Sequence, residues 1–172
     1  MLRGAVAYVA LGANLGDRLA TLREAVRRID ASRGLHVLRA SSVWETAAVG
    51  PPQPDYLNAV VEIDACKAPR AHLGRLHEIE REFGRVRVPG ERWGPRTLDL
   101  DLLWQGGLEL HNDALDLPHP RIAERSFVLA PLAELAPELR LGDRTVADWL
   151  AARPAHERGG VLRVGPLLPL GG

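Results

Sequence analysis

The chain has 172 residues, in which 22 lysines and arginines balance 22 aspartates and glutamates. This length fits one domain with a substantial core, and the zero net charge excludes a general basic field for nucleic acid or membrane surfaces. Cys66 is the only cysteine, which excludes an intrachain disulfide and a multi-cysteine metal site.

Hydrophobic periodicity divides the first half of the chain into three strands and two helices. The predicted strands are residues 5–11, 36–48 and 56–65, the last two separated by a proline loop at 50–55. The first helix is predicted to run from the N-cap Asp17 to about Ala31, after a glycine turn at 12–16. The second helix is predicted from Pro69 to Gly84.

The second half begins with a strand near residue 100. The following segments are predicted as a short pairing near 108–110, an extended turn at 117–120, helices at about 127–135 and 146–152, and an irregular tail from about Arg163. The order β-α-β-β-α-β predicts an α+β, ferredoxin-like split βαβ fold, in which an antiparallel sheet carries two helices on one face. The C-terminal helices are expected to cover the second face, within a single domain over residues 1–172.

Residues 92–103 read Arg-Trp-Gly-Pro-Arg-Thr-Leu-Asp-Leu-Asp-Leu-Leu, an arginine-rich turn that leads directly into the strand near residue 100. Because side chains alternate along a strand, Asp99 and Asp101 point to the same face, about 6–7 Å apart at the backbone. Neighbouring carboxylates repel unless a cation lies between them, and guanidiniums bind phosphate oxygens bidentately. The pattern indicates Mg²⁺ and nucleotide phosphates, although alternating Asp and Leu is also typical of any half-exposed strand.

A phosphate loop of the Walker type is excluded. Lys67 is the only lysine of the chain, and no glycine-rich loop precedes it. Phosphate chemistry must therefore use arginines, metal ions or backbone amides. The cationic loop at 85–92 is a candidate lid.

With the motif at residues 92–103, the chain resembles the 6-hydroxymethyl-7,8-dihydropterin pyrophosphokinase family of folate biosynthesis. The resemblance covers about residues 5–140. It rests on several separated segments that occur in the family's order: 7–16, 54–58, 84–87, 92–103, 118–119 and 125–132. It implies transfer of an intact pyrophosphate from ATP to the hydroxymethyl oxygen of the pterin, with release of AMP.

The resemblance implies a metal and phosphate centre. Asp99 and Asp101 match carboxylates that bind two Mg²⁺ ions, which would bridge the triphosphate and activate the attacking oxygen. Arg85 and Arg96 match catalytic arginines that neutralise charge as the bond to the β-phosphorus breaks. The lid residues that would fold over ATP are Arg87, Arg92 and Trp93.

A pterin site is implied by the same resemblance. Tyr56 and Phe127 match the pair that holds the ring, with Phe127 stacking on its flat surface. Asn58 would read the amide edge of the ring with its donor and acceptor. Thr46 and Gly50 would line the pocket through backbone groups.

Further nucleotide contacts are implied at His77, Glu80, His119 and Arg125. From the residues alone, His77 and Glu80 also fit a solvated helix face, and His119 in Pro-His-Pro also fits a structural turn. Ala114 and Asp116 depart from the family pattern, which has a basic residue and a hydroxyl there to assist ATP.

Two other functions fit parts of the pattern. A two-metal nucleotidyltransferase also pairs strand aspartates, but it usually carries Gly-Ser ahead of them, where this chain has Gly-Pro-Arg. An RNA-binding split βαβ module needs aromatic residues on its central strands within a basic face, where this chain has aspartates. We therefore expect a cytoplasmic, monomeric enzyme that binds ATP, Mg²⁺ and a pterin, and neither nucleic acid nor membranes.

Overall fold

The structure is a computed structural model that describes residues 4–48, 50–84 and 97–168. Within these ranges the strands are β1 (Ala5–Ala13), β2 (Leu35–Ala40), β3 (Ser42–Thr46), β4 (Tyr56–Ala65), β5 (Asp99–Gln105), β6 (Leu110–His111), β7 (Asp116–Leu117), β8 (Arg140–Leu141), β9 (Arg144–Thr145) and β10 (Leu162–Pro166). The helices are α1 (Arg18–Asp30), α2 (Pro69–Glu82), α3 (Ser126–Leu135), α4 (Val146–Ala152) and α5 (Ala155–Gly159), with a 3-10 helix at Ile122–Glu124.

The main sheet contains six strands, in the order β10-β3-β4-β1-β5, with β2 also paired to β4. The described pairings are antiparallel. Two short hairpins, β6–β7 and β8–β9, lie outside this sheet. The prediction of a mixed α and β fold built on an antiparallel sheet is confirmed.

Helices cover both faces of the sheet. On one face, Leu22 and Ile29 of α1 and Ile79 of α2 pack with Leu11 of β1 and Leu100 of β5. On the opposite face, which we call the α3 face, the residues that pack together include Tyr8, Val60, Leu103, Val128, Leu129 and Leu132, with Val146 of α4. The expectation that C-terminal helices cover the second face is confirmed.

Local sequence signals set the ends of the first two helices. The Asp17 side chain accepts a hydrogen bond from Ala20 N at 3.1 Å, which satisfies one of the unpaired amides at the start of α1. Pro69 occupies the first turn of α2, where its missing N–H is not needed. Gly12 and Ala13, predicted to lie in a turn, instead continue β1 because both pair with β4.

Two other predictions were wrong. The single strand predicted at 36–48 is two strands, because Ser41 interrupts it: its Oγ accepts from Val60 N, and β2 and β3 then pair separately with β4. The tail predicted to be irregular from Arg163 forms β10, which pairs with β3 along the edge of the sheet.

Within the described ranges, none of the helices combines the length and apolar character needed to cross a membrane.

Candidate functional site

Asp99 and Asp101 lie on one face of β5, as predicted. Both are half-buried, whereas Leu100 and Leu102 are buried against α1 and α2 on the other side of the strand. In the pairing with β1, Asp99 lies opposite Gly12 and Asp101 lies opposite Ala10. The two carboxylates therefore stand on the α3 face beside residues with little or no side chain.

Gly12 is the point at which the predicted metal and pterin residues meet. It pairs with Asp99 on one side and with Asn58 on the other. A Cβ at Gly12 would lie 3.3 Å from Asn58 Oδ1, 3.7 Å from Tyr56 Cδ1 and 3.9 Å from the Cβ of Asp99. Three residues predicted for the site from two distant segments thus surround a single Cα.

The predicted pterin residues of β3 and β4 form one hydrogen-bonded group. Asn58 is 6 % exposed, and its Nδ2 donates to Thr46 Oγ1 at 2.9 Å. Thr46 pairs with Tyr56, which is half-buried at the start of β4. The Thr46 bond fixes the amide orientation of Asn58, so that its Oδ1 points toward Gly12 and the interior of the site.

Arg125 brings positive charge to the aspartates, and His119 lies beside it as a hydrogen-bonding group. Burial lowers the pKa of the Arg125 guanidinium, and the carboxylates of Asp101 and Asp99 oppose that shift. Burial also lowers the pKa of His119, and the guanidiniums of Arg125 and Arg121 lower it further. Arg125 is thus close enough to Asp99 and Asp101, and His119 to Asp99, for their charges to interact.

The His119 ring is fixed through its own backbone. His119 N donates to Leu103 O of β5 at 2.8 Å, and His119 Nδ1 accepts from Arg121 N at 3.2 Å. Because Nδ1 is an acceptor, the neutral ring carries its proton on Nε2. A histidine held in this way can donate one hydrogen bond to an anionic oxygen.

Phe127 lies on α3 next to this charged group. Its half-buried ring packs at the margin of the α3-face core, and the Arg125 guanidinium carbon lies 5.7 Å from the ring centroid. This is within the range of a cation–π contact. The predicted ring-stacking residue is therefore adjacent to the predicted phosphate-binding arginine.

His77 and Glu80 lie on α2, which packs against β5 from the side opposite Asp99 and Asp101. Glu80 is only 1 % exposed and His77 is half-buried, so Glu80 does not belong to a solvated helix face. Gly50 lies in the exposed loop between β3 and β4 with a φ of 102°.

The remaining predicted residues fall outside the described ranges: Arg85, Arg87, Arg92, Trp93 and Arg96.

The sequence analysis gave no role to Asn14, although it lies in the matched segment 7–16. Asn14 is buried, and its Nδ2 donates to Gln53 Oε1 at 2.9 Å and to Pro54 O at 3.1 Å. It therefore anchors the proline loop that leads into Tyr56.

The donor set of the site suits a cation that is shared with a substrate. Among the described residues, no group of three or more His, Cys, Asp or Glu side chains could hold a metal ion. Asp99 and Asp101 supply two carboxylates on one face of β5. Mg²⁺ fits such a pair because it keeps several waters and takes further oxygens from substrate phosphates.

Comparison with known proteins gives one consistent family. The model of the 7,8-dihydro-6-hydroxymethylpterin-pyrophosphokinase (HPPK) family matches residues 8–137. A 2-amino-4-hydroxy-6-hydroxymethyldihydropteridine pyrophosphokinase of Synechocystis sp. is 46 % identical over 77 % of this chain and 67 % of its own length. The enzyme of the same name from Methylorubrum extorquens is 42 % identical over 84 % of this chain and 91 % of its own length.

Solved structures agree in fold. An HPPK-DHPS chain crystallised in complex with substrates has a TM-score of 0.69 and 11 % identity over 88 % of this chain. Plasmodium falciparum HPPK-DHPS with pterin and p-hydroxybenzoate has a TM-score of 0.65 and 13 % identity over the same share. This chain spans 43 % of the length of each of those two chains.

Proposed function

Because the chain belongs to the 7,8-dihydro-6-hydroxymethylpterin-pyrophosphokinase family, we propose that it transfers pyrophosphate from ATP to the hydroxymethyl group of 6-hydroxymethyl-7,8-dihydropterin and releases AMP. Members of this family are diphosphokinases of folate synthesis. The match favours this reaction over a nucleotidyltransferase or an RNA-binding module. The sheet order β5-β1-β4 with β2 and β3 beyond β4 further supports a ferredoxin-like split βαβ assignment.

The observation that carries this proposal is the convergence at Gly12. Asn58 and Tyr56, proposed to bind the pterin, and Asp99, proposed to bind metal, lie within 4 Å of the Cβ position of one glycine. A hydroxymethyl group on a pterin held by Asn58 would therefore lie beside the carboxylates. Such proximity replaces a bimolecular encounter by a reaction between bound, oriented partners.

We further infer that Asp99 and Asp101 hold two Mg²⁺ ions together with the triphosphate. Bound Mg²⁺ would supply Lewis-acid stabilisation of the charge that shifts between the phosphates. The two carboxylates would hold the cations on the α3 face, and the guanidinium of Arg125 would bind phosphate oxygens there. His119 donates from Nε2 to a further phosphate oxygen.

The proposed step is an in-line displacement at the β-phosphorus. The hydroxymethyl oxygen forms the new bond to phosphorus, and its proton passes to solvent. The bond from the β-phosphorus to the oxygen it shares with the α-phosphate breaks, so that AMP leaves with that oxygen and the electron pair. Arg85 and Arg96 are proposed to neutralise the charge of this step, while Arg87, Arg92 and Trp93 close over ATP with His77 and Glu80.

The pterin is proposed to bind between Phe127 and Tyr56. Phe127 stacks on the flat ring, and Asn58, oriented by Thr46, reads the amide edge. Gly50 and the backbone of Thr46 close the pocket on the side of the loop between β3 and β4. The selectivity of such a site comes from buried polar groups that only the correct ring edge can satisfy.

The products test this proposal directly. The full chain is incubated with ATP, MgCl₂ and the reduced hydroxymethylpterin, and the products are separated by chromatography. We expect AMP and a pterin diphosphate in equal amounts, and no products when EDTA removes the cation. ADP with a pterin monophosphate would overturn the proposed reaction.

A further inference from the structure

Arg18, the first residue of α1, makes two close contacts, one with β3 and one with the loop that joins β3 to β4. Its Nη1 donates to Glu45 Oε2 at 2.7 Å and to Asp55 O at 2.8 Å. The Arg18 side chain is 28 % exposed and that of Glu45 is 33 % exposed, so both are shielded in part from water. One guanidinium nitrogen therefore connects the end of β3 with the residue that precedes β4.

These two partners flank the residues proposed to bind the pterin. Glu45 immediately precedes Thr46, and Asp55 immediately precedes Tyr56. Thr46 and Tyr56 are themselves paired in the sheet. Arg18 thus bridges the two ends of the loop 47–55, at the point where both ends enter the proposed pocket.

We propose that Arg18 is a positioning residue for the pterin site. By holding the Asp55 carbonyl and the Glu45 carboxylate together, it fixes the backbone from which Tyr56 and Thr46 project. Its role is to order the pocket before the pterin arrives, since a preordered site loses less conformational entropy on binding. This inference rests on the proposed function, because it assigns a task within the same pterin site.

The two contacts of Arg18 are expected to contribute differently to pterin binding. The ion pair with Glu45 lies near the surface, where such pairs contribute little. The bond to the Asp55 carbonyl satisfies a backbone acceptor in a segment whose three prolines, Pro51, Pro52 and Pro54, supply no N–H donors of their own. The carbonyl bond should therefore dominate the effect on binding.

Three variants separate these contacts. Arg18→Ala removes both, Arg18→Lys keeps a donor, and Glu45→Gln removes the ion pair but keeps an acceptor. The matched control is Arg27→Ala, which removes an exposed ion pair with Glu24 from the same helix. For each protein we measure the pterin Kd with Mg²⁺ and a non-hydrolysable ATP analogue, the ATP-analogue Kd, the pterin KM, kcat and the melting temperature.

In Arg18→Ala we expect the pterin Kd and KM to rise about fivefold to tenfold, as for the loss of one charge-assisted hydrogen bond. The ATP-analogue Kd and kcat at saturating pterin should stay close to the wild-type values. Arg18→Lys should recover part of the loss, Glu45→Gln should lose less than Arg18→Ala, and Arg27→Ala should bind like the wild-type protein.

The outcomes distinguish this inference from the function on which it rests. A wild-type protein that binds no pterin would overturn both. Wild-type pterin binding with an unchanged Kd in Arg18→Ala would overturn the positioning role alone. Equal rises in the Kd for pterin and for the ATP analogue, with a lowered melting temperature, would also overturn it, because they would show a general loss of structure.

Discussion

Asp101 is expected to contribute strongly to turnover and little to folding. Its carboxylate is half-buried on the α3 face and lies near the Arg125 guanidinium. Asp101→Asn keeps the shape of the side chain and removes the charge that would hold a cation. We expect turnover at saturating Mg²⁺ to fall by at least about 100-fold, because stabilisation of charge in the transition state is lost.

Asp143→Asn is the matched control for this change. It removes the same charge from an exposed turn between β8 and β9. Its turnover and melting temperature should equal those of the wild-type protein, and the melting temperature of Asp101→Asn should also stay close to that value. If Asp101→Asn kept turnover within about threefold of wild type, β5 would present only a solvated polar face.

Gly12→Ala tests the convergence of the pterin and metal residues. The new Cβ would lie 3.3 Å from Asn58 Oδ1, closer than most side-chain contacts, while the Gly12 backbone is not left-handed and accepts alanine. We expect the pterin Kd to rise about tenfold because Asn58 must move, with the free energy of unfolding nearly unchanged. Calorimetric titration and urea unfolding measure the two quantities.

Gly74→Ala is the control for the glycine substitution. Gly74 lies within α2, and beyond its chain neighbours and the backbone of its own helix no described atom lies within 4 Å of the Cβ position. This variant should raise the free energy of unfolding by about 0.5–1 kcal/mol, as alanine does in a helix interior, and leave the pterin Kd unchanged. A Gly12→Ala protein that also binds pterin normally would show that the pocket does not reach Gly12.

The sequence predicts the face of a residue within one strand, but it does not predict which residues of neighbouring strands lie opposite each other. The shared face of Asp99 and Asp101 could be predicted because the period of two is a property of one strand. The meeting of Gly12, Asn58 and Asp99 could not, because three strands from distant parts of the chain must pair in one register. Family resemblance supplied Asn58 and Tyr56, but a glycine without a side chain carries no comparable signal of a role.

At the scale of elements, β10 is expected to be a stabilising part of the sheet. Leu167, just after the strand, is fully buried with the α1 core, whereas its neighbour Leu168 is 38 % exposed. Leu167→Ala should lower the free energy of unfolding by about 2–4 kcal/mol, because it removes buried methyl groups and leaves a cavity. Urea unfolding of the 172-residue chain carrying Leu167→Ala or Leu168→Ala compares the free energies of unfolding of the two variants.

The Leu168→Ala control should differ from the wild-type protein by less than about 1 kcal/mol. Equal, small effects at both positions would mean that the C-terminal segment is peripheral to folding. Arg23 adds a second attachment of this segment, because its Nε donates to Leu167 O at 2.8 Å.

Elements with local signals were predicted well, and elements defined by distant partners were not. Asp17, Pro69 and the apolar stripes of α1 and α2 place both helices from neighbouring residues alone. The break at Ser41 depends on its bond to Val60 in another strand. Leu162–Pro166 contains glycine and proline and is largely exposed, so only its pairing with β3 makes it a strand.

At the scale of the whole molecule, the two covered faces of the sheet differ in composition. The face under α1 and α2 is an apolar core that extends along β1, β4 and β5. The α3 face has a smaller apolar core, and the polar residues Asn58, Asp99 and Asp101 continue the same strands beyond it. The apolar core and the residues proposed to bind ligands are therefore separated along the strands of one sheet.

On the α1 and α2 side of the sheet, a buried histidine predicts that the free energy of unfolding depends on pH. His72 of α2 is 1 % exposed, and its Nε2 accepts from Lys67 N at 3.1 Å, so the folded protein holds the neutral ring. Burial, with a smaller effect of the Lys67 ammonium, lowers the pKa of His72 below its ordinary value of 6.5. The unfolded chain then binds a proton that the folded chain excludes.

The sign of the effect follows from this difference in bound protons. The stabilisation is fully present above about pH 6.5 and is lost as the pH falls below that value toward the lowered pKa of His72. The free energy of unfolding should therefore decline between pH 7.5 and pH 5.5. His72→Gln removes the titrating group, so the stability difference between wild type and variant should be smaller at pH 5.5 than at pH 7.5. Urea unfolding of both proteins at the two pH values measures it, and an equal difference at both would contradict a role for His72.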